Sequence, residues 1–163
     1  MIATQVLIVG AGPVGLISAL SLAQAGIRCI VVDRRLERLD APKAHAVNAR
    51  TLEICERLGV PADEIRDAGA SIHDGGQVHF VDTLTGPVFG SLPYERQDEG
   101  ARAFTPWPLV NIPQPTFEAF LNAHLAHCGG VSLLRGVVAG AIEQRDSDVE
   151  VALRMQGCEQ PVQ

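Results

Sequence analysis

Val6-Leu7-Ile8-Val9-Gly10-Ala11-Gly12-Pro13-Val14-Gly15 is a short apolar run closed by three glycines spaced G-x-G-x-x-G. The run reads as a buried parallel strand that turns sharply into a helix. Gly10 permits the tight turn, Gly12 leaves the backbone open to a pyrophosphate, and Gly15 lets the helix lie close on the sheet. Free N–H groups at the helix start, with the helix dipole behind them, favour a phosphate there. Glycines fall into this spacing by chance in many sequences, so the flanking residues decide its meaning.

The flanks agree with a dinucleotide fold. Residues 4–9 form the strand, Pro13 suits a first helical position, and Leu16, Leu20 and Ala23 share one helical face. Gly26 is placed to stop the helix. Ile27 to Asp33 reads as a second apolar strand ending in an acid, 18 residues after Gly15. A carboxylate there can accept hydrogen bonds from the two hydroxyls of an adenosine ribose. Arg34 and Arg35 follow, either as surface charges or, for Arg34, beside the adenine or phosphates.

Residues 36–48 read as a loop. Asn48 is suited to cap a helix from Ala49 to Leu58 that ends at Gly59, with Glu53 and Arg57 as an i,i+4 pair. Pro61 breaks the chain. Residues 77–82 and 87–90 read as two strands around the turn Thr83–Gly86, a hairpin outside the β-α-β pattern that starts a second sheet. His73 and His79 are expected as exposed residues rather than ligands. Residues 91–111, with Tyr94, Trp107 and several prolines, read as a long surface connection. A helix then runs to Cys128, its buried stripe made of Phe117, Phe120, Leu121, Leu125 and Cys128. His124 and His127 suit its C-terminus better than a metal site. Val131 to Arg135 is a strand, and 137–144 with 149–155 an antiparallel pair turning at Asp146-Ser147-Asp148. A polar, loose end closes the chain at 157–163.

The whole chain narrows the possibilities. Its 163 residues suggest one domain, and 47% hydrophobic residues suffice for a core. A net charge of −6 without any basic block argues against nucleic acid as a partner. Cys29, Cys55, Cys128 and Cys158 are far apart and read as reduced thiols. The start lacks a basic leader and the first apolar run is too short to span a membrane, so a cytoplasmic protein is expected.

Three motifs resemble the flavin-dependent aromatic hydroxylases, the FAD monooxygenases that include para-hydroxybenzoate hydroxylase, phenol hydroxylase and the polyketide hydroxylases. They are Gly10–Gly15 with Asp33, the stretch Pro42-Lys-Ala-His-Ala-Val-Asn-Ala-Arg-Thr-Leu-Glu-Ile-Cys-Glu-Arg-Leu-Gly59, and Ile112-Pro-Gln-Pro-Thr-Phe-Glu118. The second is the most specific, and the resemblance runs from about residue 4 to residue 155. It implies an α/β chain with a Rossmann-like βαβ FAD-binding fold, the start of a substrate-domain sheet within 71–110, and a terminal β-meander. By the same resemblance Gly10, Gly12, Pro13, Val14 and Gly15 hold the FAD pyrophosphate and Asp33 the adenosine ribose. Lys43, Ala44, His45 and Ala46 run beside the isoalloxazine, Gln114 contacts the flavin, and Arg50 faces the phosphates.

The implied reaction is hydroxylation of an aromatic or polyketide substrate by flavin reduced with NADPH or NADH, with no protein nucleophile or general base demanded. Members of the family are more than twice this long and carry later Asp-Gly and Gly-Asp motifs. The FAD-binding domain is therefore expected to be incomplete relative to the family and inactive alone, with a complementary chain or a homodimer as a possible partner. The alternatives are a non-catalytic FAD-binding or interaction module and an NAD-binding dehydrogenase domain.

Overall fold

Strand β1 (Val6–Val9), helix α1 (Pro13–Gln24) and strand β2 (Cys29–Asp33) build the expected β-α-β unit in the computed structural model. The structure describes residues 2–37, 41, 43–94, 97 and 99–157. Pro42, Cys158 and the rest of the polar end lie outside the described residues. Two compact units divide the chain: Met1–Ala41 with Glu118–Gln163, and Pro42–Phe117.

In the first unit β1 and β2 pair in parallel, and β2 pairs in parallel with the later strand β7 (Val131–Arg135), giving the order β1-β2-β7. The central strand is the most deeply buried because both its edges are paired, and Cys29, Val31 and Val32 are buried. Helix α1 packs on β1 and β2 and buries Leu16, Ala19 and Leu20, an i, i+3, i+4 stripe. Ala19 takes the buried place expected for Ala23. Ser18 and Ser21 lie on the exposed side and donate back to the carbonyls of Val14 and Ile17. Gly26 ends the helix in the left-handed region, at φ 73°, where its N–H reaches the carbonyl of Ala23. Strands β8 (Val137–Gln144) and β9 (Val149–Met155) form an antiparallel ribbon, closed where the N–H of Arg145 reaches the carbonyl of Asp148.

The second unit holds the elements least visible in the sequence. A two-residue strand β3 (Ala46–Val47) lies within the expected loop 36–48. Helix α2 (Ala49–Arg57) follows, its N-terminus capped by Asn48, whose Oδ1 accepts from the N–H of Thr51 at 2.9 Å. Leu52 and Cys55 are its buried edge. Glu53 does not serve the expected i,i+4 register. One carboxylate oxygen takes Arg50 at 3.1 Å and the other the hydroxyl of Thr105 at 2.8 Å. Helix α3 (Ala62–Asp67) was not foreseen: six residues are too few to show a period, and only Ala62 and Ile65 are buried. The carboxylate of Glu56 caps it by accepting from Ala62. A single turn, α4 (Ile72–Gly75), precedes the hairpin of β4 (Gln77–Val81) and β5 (Val88–Pro93), which turns at Thr83–Gly86. His73 and His79 are exposed, and His79 bonds Ser91 across the hairpin.

Residues 91–111 are more than a surface connection. After a 3-10 turn at Glu99–Ala103, Pro108, Leu109 and Val110 are buried, and β6 (Val110–Asn111) pairs antiparallel with β3. Arg66 of α3 holds this segment through the carbonyls of Pro108 and Leu109. Prolines and mixed charge disguised it, because its burial comes from tertiary packing and not from a repeating pattern. Helix α5 (Gln114–Leu125) follows. It stops three residues short of the expected end, and the turn beyond it lets His127 Nδ1 reach the carbonyl of Ala123. Among the described residues no helix is long and apolar enough to cross a membrane.

The thiols of Cys29 and Cys55 are both buried and free. Burial pushes Cys55 up to about 11 and raises Cys29 as well. Only the thiolate is nucleophilic. A thiol reagent at neutral pH is therefore expected to spare both in the native protein and to modify them on unfolding. Rapid native labelling of Cys55 would contradict its place in the core.

Candidate functional site

The end of β1 and the start of α1 form a turn whose glycines do three different things. Gly10 sits at φ 110°, where a side chain would be strained, and its N–H bonds the carbonyl of Val32 at 2.7 Å. A Cβ on Gly15 would lie 2.0 Å from the carbonyl oxygen of Gly10 and 3.3 Å from Ile8 Cγ2, so only glycine allows α1 to approach β1 this closely. A Cβ on Gly12 would meet nothing within 4 Å. Its backbone is ordinary, with φ −80°, so Gly12 is demanded neither by the turn nor by packing. It leaves an open approach to the start of the helix.

Gly12 is the N-cap of α1 and Pro13 its first residue. The carbonyl of Gly12 already accepts from Leu16. The first-turn N–H groups of Val14 and Gly15 have no carbonyl a turn behind them, and the side chain of Val14 is 80% exposed. This is the geometry of an anion site with open access.

Asp33 ends β2 beside this turn. Its Oδ2 accepts from the N–H of Ala11 and its Oδ1 from that of Arg35, both at 2.8 Å. Partial burial pushes its pKa up. The N–H groups of Arg35 and Ala11, with the charges of Arg135 and Arg35, outweigh that and hold the carboxyl below its ordinary value. Each oxygen keeps a further lone-pair site, so a charged carboxylate anchored to the glycine turn can still accept from ribose hydroxyls. Arg135 arrives through the β2–β7 register, opposite Asp33, and donates to Asn122 at 3.1 Å. Local sequence offers no sign of this, because it depends on which strand lies beside β2. Arg34 is exposed one residue beyond Asp33.

The second unit brings together the other two motifs. The N–H of Gln114, at the start of α5, donates to the carbonyl of Ala44, and that of Ile112 to the carbonyl of His45, each at 2.8 Å. Both carbonyls therefore turn toward 112–114, ahead of the β3–β6 pair where Ala46 faces Asn111 and Val47 faces Val110. Lys43, Ala44, His45 and Ala46 are all exposed, and Val47 is buried. His45 Nδ1 lies 3.2 Å from Asn111 Oδ1, and its ring is 6.3 Å from that of Tyr94. Asn111 Nδ2 donates to the carbonyl of Gly75 at 2.8 Å, which also accepts from Gln97. The partnership of Asn111 with His45 depends on β6 lying against β3, which local sequence does not signal.

Arg50 is 68% exposed and paired with Glu53. The hydrogen bond from Thr105, then that from Arg50, lowers the pKa of Glu53. Thr105 also lines an open, mostly apolar recess of about 350 Å³, with Asn48, Ala49, Ala101, Phe104, Pro108 and Leu109.

Comparison with known proteins places these features in a family. The model of the FAD-binding domain matches residues 3–162. An FAD-dependent monooxygenase, apdD, of Emericella nidulans is 36% identical over 128 residues, which are 72% of this chain and 20% of that protein. Anhydrotetracycline monooxygenase of Streptomyces rimosus is 32% identical over 149 residues, 91% of this chain and 27% of the relative. The crystal structure of the flavin-dependent monooxygenase PieE with FAD and substrate superposes with a TM-score of 0.89 at 29% identity, covering 98% of this chain and 28% of PieE. The chain thus spans between a fifth and about three tenths of each. The glycine turn, the acid that closes β2 and the match along nearly the whole sequence carry one conclusion: the chain belongs to the FAD-binding domain family of the flavin-dependent monooxygenases.

Proposed function

We propose that this chain holds FAD for an NAD(P)H-dependent hydroxylation of an aromatic or polyketide ring. The single observation that carries the reading is the glycine turn joined to Asp33 through the N–H of Ala11. It suits a diphosphate followed by a ribose. In this reading Gly10, Gly12, Pro13, Val14 and Gly15 receive the pyrophosphate, Asp33 binds the adenosine ribose, and Arg34 lies by the adenine or phosphates. Lys43, Ala44, His45, Ala46 and Gln114 serve the isoalloxazine, and Arg50, oriented by Glu53, serves the phosphates. The backbone bond from Gln114 to Ala44 supports treating these two segments as one element of the site.

When bound, the flavin supplies the redox and oxygen chemistry, and the protein supplies binding, orientation and exclusion of water. The name of the anhydrotetracycline relative supports a fused-ring substrate. The β4–β5 hairpin is proposed to begin the sheet that covers the substrate. Exposed Phe80, Val88, Phe89 and Leu92 support this, because a two-stranded ribbon in water does not ordinarily display such a patch. A complementary chain or a second copy would cover the same patch, and a cytoplasmic setting suits the free thiols. Protein loaded with FAD and freed of excess is expected to lose its oxidised flavin absorbance on anaerobic addition of NADPH or NADH. Retention of the oxidised spectrum with both nucleotides would remove the reductant from this proposal.

A further inference from the structure

The hydrogen-bond pattern around Asn111 assigns the tautomer of His45. The carbonyl of Gly75 can only accept, so the atom of Asn111 facing it at 2.8 Å must be the amide nitrogen. The reverse orientation would set two acceptors against each other. Gly75 lies close against this side chain, since a Cβ on it would come within 2.9 Å of Asn111 Nδ2. The N–H of Ala70 also takes the backbone carbonyl of Asn111, at 2.7 Å. With its nitrogen committed, Asn111 turns Oδ1 toward His45 Nδ1, at 3.2 Å. That oxygen can only accept. The proton of the neutral imidazole therefore sits on Nδ1, and Nε2 carries the lone pair.

Nε2 has no partner among the described residues, and His45 is exposed. Its neighbours give the lone pair significance. Lys43 has only donors, and Ala44 and Ala46 have no polar side chain. The carbonyls of Ala44 and His45 are already taken by Gln114 and Ile112. Nε2 is thus the one side-chain acceptor that the 43–46 segment offers. The oxidised isoalloxazine has one N–H, the imide at N3.

We propose that His45, held as its Nδ1–H tautomer by Asn111, presents Nε2 as the acceptor for the flavin imide N–H. This rests on the reading that the 43–46 segment serves the isoalloxazine. The two parts separate experimentally. In the protein without flavin, long-range proton–nitrogen NMR of the His45 ring reports the tautomer directly. Nδ1–H is expected, and Asn111→Ala should release the preference. A ring protonated at Nε2 would overturn the assignment. The flavin contact is tested with FAD and N3-methyl-FAD on wild type and His45→Ala. Methylation should weaken binding to wild type about five- to tenfold, the worth of one hydrogen bond. His45→Ala should lose the same factor with FAD and nothing more with the methylated flavin. Equal methylation losses in both proteins would overturn the contact. If neither protein binds FAD, the proposed function itself falls, while the NMR result still decides the tautomer.

Discussion

Gly15→Ala is expected to lower stability by about 3 kcal/mol and to abolish FAD binding. Overpacking at a site that cannot relax costs on this order, and here the obstacle is backbone. The added Cβ would lie 2.0 Å from the carbonyl oxygen of Gly10. Gly10 cannot easily give way, because its own N–H is bonded to Val32 across the sheet. Helix α1 would have to lift, loosening buried Leu16, Ala19 and Leu20. Urea denaturation reads the effect as a lower midpoint at unchanged slope. Gly12→Ser is the matched contrast. A Cβ there meets nothing, the backbone is already extended, and serine is a good N-cap. Stability should stay within about 0.5 kcal/mol of wild type or rise slightly, while FAD affinity falls because the side chain enters the phosphate approach. A stable Gly15→Ala protein, or a Gly12→Ser protein with undiminished affinity, would contradict the division of labour between the two glycines.

Asp33→Ala should have the second largest effect. It removes the acceptor for two backbone N–H groups, those of Ala11 and Arg35. Bonds to a charged acceptor are the stronger kind, but this one is only partly buried, so about 1–2 kcal/mol of stability is at stake. Affinity for the adenosine end of the cofactor should fall with it. The pH dependence has a definite sign. The folded carboxyl lies below its ordinary value, which is about 3.9 in an unfolded chain. Its contribution is therefore complete above that value and is lost as pH falls through the lower, folded one. Asp33→Asn should flatten that part of the acid limb of the stability profile. An unchanged acid limb would mean that Asp33 is not a charged anchor of the turn.

These effects concentrate where the sequence could be read directly. The β-α-β unit was legible because three levels agreed: an apolar run, a glycine spacing with a separate steric reason at each position, and an acid closing the next strand. The strands after residue 131 and the β4–β5 hairpin were legible for the same reason, since alternation and turn residues coincide. The Pro42–Phe117 unit hid more. Helix α3 buries two residues of six, and β3 and β6 are two residues each. No periodic pattern exists at those lengths. Val110 and Leu109 are buried because Arg66 and α3 lie against their segment, a long-range fact that proline-rich local sequence conceals. Likewise, Glu53 bonds Thr105, and Asn111 bonds His45 and Gly75, through contacts separated by dozens of residues, while the bond from Arg50 to Glu53 follows an i,i+3 register. Residue types announced the glycine turn and Asp33, whereas the joining of the 43–46 and 112–114 segments within the other unit depends on β6 lying against β3.

The central claim is that this chain carries a dinucleotide site selective for FAD. Titration of the protein into FAD, followed by flavin fluorescence, tests it most directly, with NAD as competitor and Gly12→Ser as control. Saturable quenching that NAD does not reverse, and that Gly12→Ser weakens, is the predicted result. No saturable change with FAD, or displacement of FAD by equimolar NAD, would contradict it.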